Sequence, residues 1–182
     1  MLEPPNRFMN SIHTQYPDDQ RIKSVWLQAA GLDYPGFGDR HVLIWWENGP
    51  STSNANSTST DKNQECASQS ADITQIIQLA GGPGNYHYYY PVVQKQKGGA
   101  NLYAVQVESN QQWFLAEFTR GQRDRILELA AGLEFKKDSG VNGCRVWTRD
   151  HLEAMVEDGL LGVDVFEGVD REAPLVQRKA EI

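Results

Sequence analysis

The segment from residue 140 to residue 162 limits the possible folds of this chain more than any other. Asn142 and Gly143 are favourable residues at the start of a helix. Gly159 is typical of the left-handed residue that follows a helix. Between them, apolar residues recur at helical spacing, and the inward stripe they define with the cysteine is Cys144, Trp147, Leu152, Met155 and Val156. The segment therefore predicts one amphipathic helix with a cysteine in its first turn.

Cys144 occupies the predicted first turn, where unpaired backbone amides and the positive end of the helix dipole favour a thiolate. Such a position suits a cysteine nucleophile. A buried structural cysteine fits the same pattern, because cysteine is among the most buried residue types. The local pattern leaves both interpretations open.

Composition narrows the classes of protein to which the chain can belong. A length of 182 residues with 40% hydrophobic residues is enough for one domain with a core. The net charge of −7 and the lack of a basic cluster argue against a nucleic-acid or anionic-membrane partner. We find no run of about 18 apolar residues and no signal-peptide core. With Cys66 and Cys144 as the only cysteines and no metal-ligand spacing, we expect a cytoplasmic protein without a metal or other cofactor.

Runs of β-branched and aromatic residues predict about five strands. They cover residues 22–30, 41–47, 73–80, 86–93 and 102–107. Two helices follow, one from about residue 122 to 131 that Thr119 or a neighbour caps, and then the helix with Cys144. Strands first and helices last indicate an α+β fold, an antiparallel sheet of about five strands packed against a C-terminal pair of helices.

Three segments lack the apolar periodicity of folded elements. Residues 1–21 are polar and contain prolines, which predicts a flexible N-terminal arm. Residues 49–70 form a Ser/Thr-rich insertion and residues 163–182 an acidic tail, and we expect both to be disordered. The other residues, 22–162, are predicted to form a single α+β domain with this insertion.

A cysteine nucleophile needs a base, and the histidines of this chain differ in how well they suit that role. His151 lies on the same helix as Cys144, about 10 Å along its axis, which is too far for direct deprotonation. His13 belongs to the predicted arm. His41 and His87 each begin a predicted strand, where a structural histidine is the more common role.

The chain also carries a combination of motifs that resembles a known family: a strand that begins with histidine, followed later by a Gly-Cys-Arg-x-Trp motif. The matching residues are His41 with Leu43, Ile44 and Trp45; Thr119 with Ile126 and Leu127; Gly143, Cys144, Arg145 and Trp147; and Leu152, Glu153, Gly159 and Leu160. Over residues 22–161 the chain resembles an uncharacterised fungal domain family and, with it, the circularly permuted papain-like superfamily of lecithin retinol acyltransferase and NlpC-type proteins. The Ser/Thr-rich insertion departs from that pattern.

The resemblance implies a cysteine-dependent acyl-transfer enzyme, a hydrolase or acyltransferase that acts on an amide, ester or thioester. Cys144 is then the nucleophile and His41 the general base and acid. The third residue, which orients the histidine, is Gln78, with His87 as the alternative. The other hypothesis is a catalytically inactive member of the fold that acts as a binding or interaction domain.

Four further side chains are candidates for binding a small-molecule or acyl substrate: Arg145, Trp45, Trp147 and Tyr88. Arg145 either holds a thiolate or substrate carboxylate, or pairs with an acidic group on the domain surface. Alternate residues of a strand face opposite sides of a sheet, so part of the aromatic set belongs to the core.

Overall fold

Six strands form one antiparallel sheet in the computed structural model, which describes residues 11–29, 41–50, 72–94 and 110–181. They are β1 (Lys23–Ala29), β2 (Val42–Pro50), β3 (Asp72–Ala80), β4 (His87–Tyr89), β5 (Val92–Gln94) and β6 (Gln111–Phe118). The order in the sheet is β4-β3-β2-β1-β6, and β5 also pairs with β3. Every described pairing is antiparallel. The predicted α+β class with an antiparallel sheet is therefore confirmed.

Three helices in the described part of the chain follow the sheet, one more than predicted: α1 (Arg120–Gly132), α2 (Cys144–Glu157) and α3 (Val163–Glu172). Thr119 caps α1 through a capping box with Gln122. At the end of α2, Gly159 has φ +73° and the N–H of Leu160 bonds the carbonyl of Met155 at 2.9 Å. This Schellman arrangement is the one that the sequence indicates.

The main core lies between one face of the sheet and the helices. Alternate residues of β1 and β2 enter it, among them Leu27, Ile44 and Trp46. Ile126 of α1 and Trp147 of α2 meet them from the other side. A second cluster holds residues at the intervening positions: Trp26, Leu43, Trp45, Ile76 and Val93. Strand alternation thus gives the sheet two apolar faces.

The strand prediction differs from the structure in two places. β6 was not predicted, because only Leu115 and Phe118 of its eight residues are buried. The strand predicted over residues 86–93 is two short strands, β4 and β5, and between them lies Pro91, which has no N–H for the ladder. The strand predicted at 102–107 lies outside the described residues. So does the insertion predicted at 49–70, apart from its first two residues, which end β2.

The prediction of a disordered tail over residues 163–182 is wrong for residues 163–181. Val169 of α3 is buried in the main core, as is Ala173 just after the helix. The following residues contain no helix or strand and contact the start of α2, where Arg145 donates a hydrogen bond to the carbonyl of Pro174. Only a few apolar residues anchor this region, and acidic residues separate them, so its sequence pattern is weak.

Residues 11–21 of the predicted arm also pack on the domain. The N–H of Ile12 donates to the carbonyl of Val92 at 2.9 Å. The carboxylate of Asp18 accepts hydrogen bonds from the buried guanidinium of Arg123 at 2.7 and 3.0 Å, and from Lys23 at 2.5 Å. A buried charge needs such partners. Asp18 and Arg123 lie 105 positions apart, so local periodicity cannot reveal the pair.

Candidate active site

Cys144 is the first residue of α2. Gly143 is the N-cap, and its carbonyl accepts the N–H groups of Val146 and Trp147 at 3.1 and 3.0 Å. The Cys144 side chain is half-buried against the main core. Its thiol therefore lies at the positive end of the helix dipole, where negative charge is stabilised.

His41 and Gln78 come together at neighbouring strands of the sheet. His41 immediately precedes β2, Gln78 belongs to β3, and the pairing of Ile44 with Ile77 sets the register beside them. The Nε2–H of His41 donates a hydrogen bond to Oε1 of Gln78. Gln78 is only 1% exposed, so its amide is held by the surrounding protein.

The imidazole of His41 also hydrogen-bonds the side chain of Cys144. Because Gln78 accepts from Nε2, the nitrogen left for the thiol is Nδ1. The structure thus joins three of the residues singled out in the sequence in one chain of hydrogen bonds. Of the two candidates for the third residue, Gln78 is therefore hydrogen-bonded to His41. The catalytic roles of the three residues stay predictions.

The surroundings of His41 act on its pKa in opposite directions. Burial lowers the pKa of His41, but the hydrogen bond and charge of Cys144, together with the hydrogen bond to Gln78, raise it above its ordinary value. The attraction is mutual, because an imidazolium that a thiolate stabilises also stabilises that thiolate. An ion pair at this contact would hold the cysteine in its nucleophilic state.

Two of the predicted substrate-binding residues lie inside the domain. Trp147 is 1% exposed, and its ring packs between those of Tyr88 and His151 at centroid distances of 5.7 and 5.5 Å. Trp45 is 6% exposed and stacks on Trp26 in the second cluster. Burial leaves neither indole a face on which a substrate can lie, so we correct both residues to core positions.

Arg145 and Tyr88, the other two substrate-binding candidates, make contacts within the chain. Nε of Arg145 donates a hydrogen bond to the main-chain carbonyl of Pro174. The hydroxyl of Tyr88 donates to the carbonyl of Leu127 at 3.3 Å, and burial raises the pKa of this tyrosine. Their roles in substrate binding stay predictions.

His87 and His151 also make contacts within the domain. Nδ1 of His87 lies 3.1 Å from the carbonyl oxygen of Asn85. His151 is fully buried, and its Nε2–H donates to the carbonyl of Ile126 at 3.0 Å. Burial lowers the pKa of His151 to about 4. His151 is therefore a neutral core residue at physiological pH.

Tyr86 lies at the site although nothing in the sequence singled it out. A Cβ added at Gly143 would be 2.7 Å from the Tyr86 hydroxyl oxygen, so this hydroxyl lies directly against the N-cap of α2. The N–H of Tyr86 donates to the carbonyl of Lys137 at 3.2 Å, which ties the β3–β4 connection to the loop before α2. In the sequence, the only sign of this close approach is the glycine before Cys144, and a glycine does not show that Tyr86 is the residue that approaches.

Comparison of the chain with protein-family models, with curated proteins and with solved structures gives no match. Among the described residues, no helix is both long and apolar enough to cross a membrane.

Proposed function

We propose that this chain is a cysteine-dependent acyl-transfer enzyme, a hydrolase or acyltransferase that acts on an amide, ester or thioester. One observation carries the proposal: Gln78, His41 and Cys144 form a hydrogen-bonded chain that ends at the first residue of a helix. These three residues supply the groups that cysteine catalysis uses, which are a nucleophile, a base and a group that orients the base.

Cys144 and His41 carry the chemical steps. Nδ1 of His41 takes the thiol proton, and the sulfur attacks the acyl carbonyl carbon to give a tetrahedral oxyanion. Collapse of this intermediate breaks the bond to the leaving group, which receives the proton from His41, and a thioester on Cys144 remains. Water or an acceptor nucleophile then gives its proton to His41 and attacks the thioester. The acyl group leaves with the new nucleophile, and the proton returns to Cys144.

Gln78 orients the base in this scheme. Its Oε1 accepts the Nε2–H of His41, which fixes the tautomer that keeps Nδ1 as a proton acceptor. The amide is neutral, so it stabilises the imidazolium through its dipole rather than through a full charge.

The start of α2 supplies donors for the oxyanion. The N–H of Cys144 is among the first backbone amides of the helix, which have no acceptor within the helix. We assign the hydroxyl of Tyr86 as the second donor, because it lies directly against Gly143. Glycine at position 143 permits this close approach, because a Cβ there would lie 2.7 Å from the hydroxyl oxygen.

We extend the proposal to the fold. His41 and Gln78 precede Cys144 in the chain, and the sheet precedes the helices. This order supports a circularly permuted papain-like fold, in which a histidine on the sheet comes before a cysteine at a helix start. The proposal includes a small-molecule or acyl substrate and requires no cofactor.

Trapping of an acyl-enzyme tests the proposed function. We expect p-nitrophenyl acetate to release about one equivalent of p-nitrophenolate in a burst, and peptide mass analysis to place the acetyl group on Cys144. The second thiol of the chain, Cys66, is the internal reference for unspecific acylation. Cys144→Ala and His41→Ala should both abolish the burst, whereas the matched control His87→Ala should keep it. Equal acetylation of the two cysteines in every variant would leave a non-catalytic binding domain as the better hypothesis.

A further inference from the structure

Residues 173–181, which we call the strap, run beside the start of α2. The strap follows α3 and contains no helix or strand. Its first residue, Ala173, is buried in the main core. Arg145, one position after the cysteine, donates to the carbonyl of Pro174. The strap is therefore attached to the first turn of the helix that carries Cys144.

Asn142, two positions before the cysteine, holds the other part of the strap. Its Nδ2 donates to the carbonyl of Lys179 at 2.8 Å, and its Oδ1 accepts the N–H of the same lysine at 2.9 Å. Nδ2 also donates to the carboxylate of Glu181 at 2.8 Å. Asn142 is 4% exposed. Both polar side-chain atoms of the buried Asn142 are thus hydrogen-bonded to the strap.

Ser139 completes this anchor. Its hydroxyl oxygen accepts the N–H of Asn142 at 2.8 Å, and its side chain lies close enough to the Glu181 carboxylate to lower the pKa of that group. Ser139 is itself buried. The loop before α2 and the strap therefore form one hydrogen-bonded unit immediately ahead of Cys144.

The start of α2 depends on such contacts because it has no side-chain cap. The N-cap is Gly143, which makes no side-chain hydrogen bond, and the first turn contains no acidic residue. Helix ends without caps fray. A capping side chain at this position would meet the hydroxyl of Tyr86, so the helix start has to be held from outside.

We infer that the strap positions Cys144 against His41, and that Asn142 is the positioning residue through which it acts. The inference rests on the proposed function, because it assigns a role within the same site. Asn142 acts through the helix start rather than on the reacting atoms. Without this anchor the first turn of α2 moves relative to His41, and a displacement of about 1 Å costs on the order of 100-fold in rate.

The Asn142→Asp variant removes the anchor with little change in side-chain size. The new carboxylate still accepts the N–H of Lys179, but it loses both donated hydrogen bonds and lies beside Glu181. Arg178→Gln is the matched control, because it cuts the contact of the strap with Asp150 and leaves the Asn142 anchor intact. Two measurements apply to each variant: the rate of Cys144 alkylation by iodoacetamide across pH, and hydrogen exchange of residues 144–147 and 173–181.

In Asn142→Asp we expect faster exchange in both segments. Alkylation of Cys144 at mildly acidic pH should fall at least about tenfold, with the midpoint of the profile moved towards that of His41→Ala. Arg178→Gln should keep the wild-type alkylation profile. Glu181→Gln weakens one of the contacts of Asn142 and should produce a smaller shift in the same direction. This milder variant keeps the test decisive if Asn142→Asp does not fold.

Three results would overturn the inference. The first is faster exchange of residues 173–181 in Asn142→Asp with an unchanged alkylation profile of Cys144. The second is wild-type exchange of residues 173–181 in Asn142→Asp, and the third is a change of the alkylation profile in Arg178→Gln as large as that in Asn142→Asp. Failure of the proposed function looks different, because the wild type and His41→Ala would then have the same alkylation profile. In that case the alkylation profile carries no information about the strap. Faster hydrogen exchange of residues 144–147 in Asn142→Asp than in the wild type would then show that the strap holds the start of α2.

Discussion

Gln78 is the residue on which the orientation of His41 depends. Gln78→Leu leaves the Nε2–H of His41 without its acceptor, so the tautomer with a basic Nδ1 is no longer fixed. We expect acylation of Cys144 to slow by about 10- to 100-fold, the range found for outer groups that orient a metal-bound imidazole. The measurement is the rate of the p-nitrophenolate burst as a function of pH.

Gln78→Glu is the matched control at the same position. A carboxylate still accepts from Nε2, and its charge raises the pKa of His41 further. We expect this variant to keep most of the burst, with the loss of activity at high pH moved to still higher pH. A leucine variant as fast as the wild type would show that Gln78 does not orient the base.

Gly143 and Tyr86 form a second residue-scale test. Gly143→Ala places a methyl group 2.7 Å from the Tyr86 hydroxyl oxygen, and overpacking of this kind costs about 1–3 kcal/mol in unfolding free energy. Tyr86→Phe in the same chain removes the clashing atom and should restore part of that loss. Urea unfolding of the two single variants and the double variant gives the coupling energy.

The double variant also separates stability from function. If the hydroxyl of Tyr86 is an oxyanion donor, Tyr86→Phe should slow acylation whether or not position 143 carries a methyl group. Additive stabilities would contradict the contact, and unchanged acylation would contradict the role of the hydroxyl.

Among the elements, α1 joins the segment before β1 to the rest of the domain through a buried ion pair. The Arg123 side chain is fully buried, and Asp18 is its charged partner. Asp18→Asn leaves the guanidinium charge without compensation, so we expect a loss of about 3–5 kcal/mol in unfolding free energy. Asp158→Asn is the control, because its pair with Arg125 is partly exposed and contributes little.

The effect of pH on this pair has a defined sign. Burial opposes ionisation of Asp18, but hydrogen bonds from Arg123 and Lys23 outweigh it, and the pKa of this carboxyl is lowered. A lowered carboxyl pKa stabilises the folded state above the ordinary value of about 3.9. This stabilisation disappears as the pH falls through the lowered pKa. Equal unfolding free energies of the wild type and Asp18→Asn at pH 7 would contradict the structural role of the pair.

For the whole molecule, His151 makes stability depend on pH. Its pKa is about 4 in the folded protein and about 6.5 in an unfolded chain. Between these values the unfolded state binds a proton that the folded state does not, so stability falls as the pH falls. The slope is about 1.4 kcal/mol per pH unit.

His151→Leu isolates this contribution. His41 has a raised pKa and acts with the opposite sign, since its contribution is present at low pH and lost as the pH rises through that pKa. The difference between the wild type and His151→Leu therefore reports on His151 alone. Urea unfolding at pH 7 and pH 5 should show a smaller loss of stability in the variant. Equal losses would mean that His151 is protonated or exposed in the folded state.

The sequence predicted those parts of the molecule whose causes are local. Apolar spacing and Gly159 defined α2, and strand patterns located β1, β2 and β3. Other features depend on contacts between distant segments. The approach of Tyr86 to Gly143 joins two loops, and Asn142 holds main-chain groups, which leave no pattern in a sequence. The inward position of Trp147 on the predicted helix already implied that this residue is buried. The substrate-binding role predicted for Trp147 was inconsistent with that position.

The pH dependence of Cys144 alkylation tests the central claim, an ion pair of Cys144 and His41, most directly. With iodoacetamide and peptide mass analysis, we expect wild-type Cys144 to react at mildly acidic pH, with a midpoint below the value of about 8.5 for an ordinary thiol. His41→Ala should raise the midpoint only in part, because the helix N-terminus still favours the thiolate, and His87→Ala should leave it unchanged. A structural cysteine would instead stay unreactive until the protein unfolds. Coincident profiles at high pH for the wild type and His41→Ala would contradict the account.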